Sequence, residues 1–257
     1  MNKPIRTLGL FEGVGGFPQA AHLVGGFEWL TSIDIDSDAV AVLRSRFNHD
    51  IKQQDIRSFT PTPGVYDFIC GGFPCSGTSN AGTRTGLSHP SSALFREFIR
   101  CICQARPLLV CLEQPMGFEH RGIRAWLGGM RMAGYQNLPP FTVSADVLGA
   151  SYQRERIFVI SYANSRRRKD WGTRWSHCLR EVVQEARDSA SWLTVESRSD
   201  RSYARIPDGL VQRDFTSITC PTGHPGRLKA RILGGKTVTP PQAVVALRMC
   251  KWLWDWQ

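Results

Sequence analysis

The chain has no apolar run approaching the roughly 20 residues that a membrane-spanning helix needs, no Cys-x-x-Cys pair, no internal repeat and no low-complexity tract. The first absence argues against a membrane protein. The opening MNKPIRTLGLF also has no cleavable export signal, so a cytoplasmic, intracellular protein is expected. Eight cysteines are present, but their positions (70, 75, 101, 103, 111, 178, 220 and 250) have neither zinc-site nor disulfide-framework spacing. No metal is expected, and most of the thiols are expected in the core, as in a reducing compartment. Disorder is excluded in turn by a hydrophobic fraction of 42% and a charged fraction of 21%.

What the sequence has is length, positive charge and a run of short apolar segments. Its 257 residues suffice for one substantial domain with a small appendage. The net charge is +10, and seven of those charges fall within residues 151 to 231, where Trp171, Trp175 and Trp192 are interspersed among arginines. A solvated surface explains such an excess, and so does a face that neutralises phosphates.

Strands and helices alternate over the first 160 residues or so. Strands are expected at 6–10, 29–33, 66–70, 108–112 and 157–161, with helices at 15–24, 36–46, 92–104 and 119–133. This alternation implies an α/β fold, a parallel sheet covered by helices on both faces, with ligands at the carboxyl ends of the strands. FEGVGG (11–16) follows the first strand, Asp34 ends the second, GGFPC (71–75) follows the third, and Glu113 ends the fourth, so these four segments should meet at one crevice. Residues 164 to 231 read as a small irregular insert, and TPPQAVVALRMCKWLWDW (239–256) as a helix returning to the main domain.

Each segment has a plain reading beside a functional one. A glycine-rich turn serves close packing, or leaves backbone amides free for a ligand. Asp34 holds ribose hydroxyls or caps the helix at 36–46, a role for which Asp36 is equally suited. Cys75 differs from the other cysteines because it follows Pro74 in a glycine-rich loop, where a thiolate can meet a substrate. Glu113 ends the apolar run LLVCLE, a poor place for a carboxylate that is neither paired nor used. Arg154 and Arg156 in YQRER, taken alone, read as a solvated strand edge.

Taken together and in order, these segments resemble the motif series of the DNA cytosine-5 methyltransferases. LGLFEGVGGF is similar to the family's cofactor loop, which implies cofactor contacts for Phe11, Gly13, Gly15 and Gly16. Asp34 and Ile35 stand at the ribose-binding acid, and Asp55 and Ile56 of QDIRSF at the pair flanking the adenine. GGFPCS resembles the catalytic loop, with Phe73 and Pro74 beside the cofactor and Cys75 as nucleophile, and CLEQPMGF the motif that carries the catalytic Glu113. QRER resembles the paired-arginine motif of Arg154 and Arg156. LGGKTVTPPQAV resembles the closing motif, which implies cofactor contacts for Lys236, Thr237 and Val238.

The resemblance implies a Rossmann-like, S-adenosylmethionine-dependent methyltransferase fold, with a catalytic domain at 1–163 and 232–257 and a short target-recognition region at 164–231. It also implies double-stranded DNA as partner, base flipping, a monomer and a bacterial or phage source. Departures from the pattern are Ser76 after the cysteine, Gln114-Pro115 after the glutamate, Gln153 one place out of step, and Lys236 where the motif has asparagine. A cation is unfavourable beside a sulfonium unless the transferred group is itself anionic. Lys236 therefore opens a second expectation, carboxymethyl transfer from carboxy-S-adenosylmethionine giving 5-carboxymethylcytosine. A catalytically inactive DNA-binding relative and a tRNA cytosine methyltransferase are the other readings of these motifs.

Overall fold

The computed structural model describes residues 3–74, 93–164, 171–190 and 237–255. The chain opens with β1 (Ile5–Leu10), α1 (Gly16–Val24), β2 (Phe27–Asp34), α2 (Ser37–Arg46) and β3 (Asp50–Gln53), followed by a 3-10 turn at Ile56–Ser58 and β4 (Phe68–Gly71). Next come α3 (Ala93–Ala105), β5 (Leu109–Pro115), α4 (Phe118–Arg121), α5 (Ile123–Met132), β6 (Tyr135–Asn137), β7 (Phe141–Ser144) and β8 (Glu155–Ala163). The helices α6 (Trp171–Ser189) and α7 (Pro240–Asp255) complete the described elements.

One eight-stranded sheet runs in the order β3-β2-β1-β4-β5-β8-β6, with β7 also paired to β8. Strands β1 to β5 pair in parallel, but β8 runs antiparallel to β5, β6 and β7. The expected parallel sheet is thus a mixed one. A parallel return needs a long crossover, and the short connection from β7 to β8, residues 145–154, permits only reversal, while β6 and β7 follow one another along β8.

Alternate side chains of the central strands enter two cores, as expected for strands covered on both faces. Cys70, Leu109, Cys111 and Phe158 meet α1, α6 and α7 on one face. Ile69, Val110, Leu112 and Val159 meet α3 and α5 on the other. Burial of each such side chain contributes roughly 1.5–3 kcal/mol.

Two helices differ from expectation. The helix expected at 119–133 is broken at Gly122, against which the Phe118 ring is packed so closely that a Cβ there would lie 2.1 Å from it. Trp171–Ser189, within the stretch expected to be irregular, forms α6. Its Trp175, Cys178, Val182 and Ala186 are buried at three- and four-residue spacing. The intervening charged residues lower the segment's mean hydropathy and hide that stripe in the sequence. The Trp175 ring lies 5.7 Å from Phe141 and 6.1 Å from Trp252 of α7, so α6 belongs to the main core.

Strand order reverses at β1, which has β2 on one side and β4 on the other. The loops leaving β1 and β4 therefore diverge and open a crevice at the strands' carboxyl ends.

Candidate active site

The first wall of the crevice is built on β1 and β2. The chain turns sharply after Leu10, with Phe11 at φ 55°, Gly13 at φ 60° and Gly15 at φ 92°. A side chain at Gly15 would meet left-handed strain and the Phe47 ring, 2.5 Å from the added Cβ. The Gly13 amide donates to Asp34 Oδ2 at 2.7 Å and the Asp36 amide to Asp34 Oδ1 at 2.9 Å. Asp36 Oδ1 in turn accepts from the amides of Asp38 and Ala39 at 3.0 and 3.4 Å. Asp36 is therefore the cap of α2, and Asp34 is committed to the loop and the crevice. Burial raises the Asp34 pKa, opposed by the amides of Asp36 and Gly13. Asp55 fixes the neighbouring 3-10 turn by accepting from the Arg57 amide at 2.9 Å, which seats Ile56 in the core.

The opposite wall is built on β5 and β8. Their antiparallel register sets Glu113 opposite Phe158 and Pro115 opposite Arg156, so Glu113 and Arg156 are diagonal neighbours on one face. Arg156 Nε lies 2.7 Å from Glu113 Oε1, with the two side chains 14% and 10% exposed. Burial raises the Glu113 pKa even against the pull of Arg156 and Arg154. Gly72 passes so close that a Cβ there would be 2.5 Å from Glu113 Oε2. Buried Gln114 donates to the Phe73 carbonyl at 3.0 Å and ties β5 to the loop after β4.

Between these walls lies a crevice of about 560 Å³. Of the residues singled out in the sequence, Phe11, Gly13, Asp34, Ile35, Asp55 and Ile56 line one side; Phe73, Pro74, Glu113 and Arg156 line the other. Gly15, Gly16, Thr237 and Val238 stand behind the loop rather than in this lining. The Val14 amide donates to Thr237 Oγ1 at 3.3 Å, and a Cβ on Gly16 would lie 2.2 Å from the Val238 carbonyl oxygen. Arg154 also sits outside the lining, its guanidinium donating to the Thr237 carbonyl at 2.6 Å. Burial and neighbouring Arg156 depress its pKa to about 10. Cys75 and Lys236 lie outside the described residues.

Sequence reasoning missed Gln54 and Arg57, which also line the crevice and flank the expected Asp55-Ile56 pair. It missed Glu12 as well. This buried carboxyl accepts from Ser32 Oγ at 3.4 Å, and its Oε1 has no hydrogen-bond partner. Burial, together with the charge of Asp34, pushes its pKa up to about 8. A carboxylate inside the glycine-rich turn LFEGVGG was the available signal.

Residues 5–206 match the model of the C-5 cytosine-specific DNA methylases. The type II methyltransferase M.CviJI of Paramecium bursaria Chlorella virus IL3A is 32% identical over 245 residues, covering 87% of this chain and 64% of the relative. M.HpaII of Haemophilus parainfluenzae is 30% identical over 165 residues, covering 61% and 45%. The chain thus spans less than two thirds of the length of these relatives. The crystal structure of the S. pombe Dnmt2 methyltransferase superposes with a TM-score of 0.64 at 16% identity, covering 98% of both chains. A protein encoded within an E. coli prophage gives 0.62 at 20% identity, covering 98% of this chain and 99% of its own. These two likenesses are of fold, the Rossmann-like α/β arrangement of methyltransferases.

Proposed function

The chain belongs to the C-5 cytosine-specific DNA methylases, and from that premise we propose that it methylates carbon 5 of cytosine in double-stranded DNA, with S-adenosylmethionine as donor and Cys75 as covalent nucleophile. The observation that carries this reading is the buried Glu113–Arg156 pair, which shares one crevice with Asp34, Asp55 and Ile56. One wall offers a carboxyl and a guanidinium to a flat polar ring, and the other offers carboxylates and an apolar seat to a nucleoside.

The residues present fit S-adenosylmethionine. Asp34, held by the Gly13 amide, suits a ribose diol, while Ile33, Ile56 and Phe11 suit an adenine face. Asp34 and Asp55 give this wall negative character, which suits a cation. When bound, the cofactor supplies an electrophilic carbon on a sulfonium.

Cytosine must leave the helical stack, because the faces of its carbon 5 and carbon 6 are covered within the duplex. The Cys75 thiolate then bonds to carbon 6, and the electron pair of the double bond moves to carbon 5. Glu113 holds N3 and the exocyclic amino group. Its raised pKa favours keeping a proton for N3, which offsets the charge that develops on the ring. Arg156 orients Glu113 and reaches the same side of the base. Carbon 5 takes the methyl group, loses its proton, and the returning electron pair expels the Cys75 sulfur. Arg154 helps hold the flipped nucleotide. Residues 1–163 and 232–257 form the catalytic domain in this reading, with α6 packed on its core, and the rest of 164–231 meets the DNA. The positive excess in residues 151 to 231 supports contact with phosphates.

Lys236 motivates a second reading, carboxymethyl transfer from carboxy-S-adenosylmethionine. It directly precedes Thr237, whose hydroxyl touches the loop at Val14. One experiment separates the alternatives: duplex DNA or tRNA is incubated with the protein and each donor, digested, and analysed by mass spectrometry. The expected product is 5-methylcytosine in DNA, lost in Cys75→Ser. A carboxymethyl product abolished by Lys236→Asn would establish the second reading. Product in tRNA alone, or DNA binding without any product, would overturn the proposal.

A further inference from the structure

Gln242, in the first turn of α7, is completely buried and carries a set of hydrogen bonds that packing alone does not require. Its Nε2 donates to the Val143 carbonyl at 2.8 Å and to the Arg154 carbonyl at 2.6 Å. Its Oε1 accepts from Thr239 Oγ1 at 2.8 Å, which fixes the orientation of the amide. An amide NH2 carries two hydrogens and so reaches both carbonyls at once, one at β7 and one just before β8. The same short segment also grips Arg154 from the other side, because the guanidinium donates to the Thr237 carbonyl at 2.6 Å. Thr237 Oγ1 accepts from the Val14 amide, and the Val238 carbonyl is pressed against Gly16.

Residues 237 to 242 therefore form a strap with one end on the loop beside Asp34 and the other on the backbone of Arg154, two residues before Arg156. A ligand that orders the loop restricts the strap, and an ordered strap holds the arginine segment in place; the reverse holds equally. We propose that Gln242 is a positioning residue that couples cofactor binding on one wall of the crevice to the grip on the flipped base at the other. This rests on the functional reading above.

The test is calorimetric binding of S-adenosylhomocysteine to the full chain, alone and with unmethylated duplex DNA. In the wild type the duplex should tighten cofactor binding by about 5- to 50-fold. Gln242→Met preserves side-chain volume but donates no hydrogen bond. It should keep each ligand's separate affinity within about threefold while the mutual tightening falls below about twofold. Thr239→Val, which releases only the orientation of the amide, should lose part of that tightening. A merely structural role would lower the melting temperature and both separate affinities and leave their ratio unchanged. Wild-type coupling in Gln242→Met would overturn the proposal, and so would a wild type that binds both ligands independently. Should Gln242→Met fail to fold, undiminished coupling in Thr239→Val would overturn it. Failure of the wild type to bind cofactor or duplex at all would count instead against the functional reading.

Discussion

The two walls of the crevice solve the problem of a buried carboxyl in opposite ways. At the β5/β8 wall, Glu113 is paired with a guanidinium at 2.7 Å. At the β1/β2 wall, Asp34 is held by backbone amides and Glu12 by hydrogen bonds from Ser32 and Trp29, and no salt bridge to either is found among the described residues. Amides supply partial positive charge but no full cation, so the β1/β2 wall keeps a negative potential that a cationic ligand can satisfy, while the β5/β8 wall is already balanced. In the proposed reading, this division suits a positive group on one side and a neutral polar ring on the other.

The sharpest way to break this comparison is to neutralise Glu113. Glu113→Gln should lower kcat by about 10³-fold with little change in cofactor affinity, measured by single-turnover transfer alongside calorimetry. An equal loss of cofactor binding would mean that the walls are not independent in role.

Glu12 comes next. Its pKa, about 8 in the fold, exceeds the usual glutamate value, so between those values the unfolded chain has released a proton that the folded chain retains. Stability attributable to this group is intact at acid pH, falls as pH rises through that window, and is fully lost above pH of about 8. Glu12→Gln should therefore be more stable than the wild type by on the order of 3 kcal/mol at alkaline pH, with the gap closing toward acid pH. Thermal melts across the pH range read this directly. A constant difference would show that Glu12 does not titrate within the fold.

Asp34 and Asp36 provide a finer contrast within one wall. Asp34→Ala should weaken S-adenosylhomocysteine binding by roughly 30-fold, about 2 kcal/mol. Asp36→Ala should leave that affinity nearly unchanged and reduce stability by about 1 kcal/mol, through loss of the α2 cap. Reversed effects would exchange the roles that the hydrogen bonds assign.

Legibility in the sequence follows the same division. At the β1/β2 wall the glycine turn and Asp34 rest on local signals, an apolar strand, a turn and an acid at the next strand end, and were readable by spacing alone; Asp55 and Ile56 came only from the resemblance, and Glu12, Gln54 and Arg57 were missed. The choice between Asp34 and Asp36 was not, because both can cap a helix and only side-chain direction separates them. At the β5/β8 wall, Glu113 stood out as a carboxylate ending an apolar run. Its partnership with Arg156 depends on an antiparallel register between distant segments that no local pattern encodes. Strands β3, β6 and β7 are short and partly polar, and α6 hides its buried stripe among charges, so periodicity missed them. Gln242 was invisible for a related reason, since its importance lies in two carbonyls about ninety residues away along the chain.

The most direct test of the whole account is to mix the protein with S-adenosylmethionine and duplex DNA containing 5-fluorocytosine, then digest and locate any covalent adduct by mass spectrometry. Fluorine at carbon 5 cannot leave as a proton does, so the account predicts a stable, methylated nucleotide attached through the Cys75 sulfur. Unmodified Cys75 in a protein that still methylates ordinary duplex DNA would contradict it.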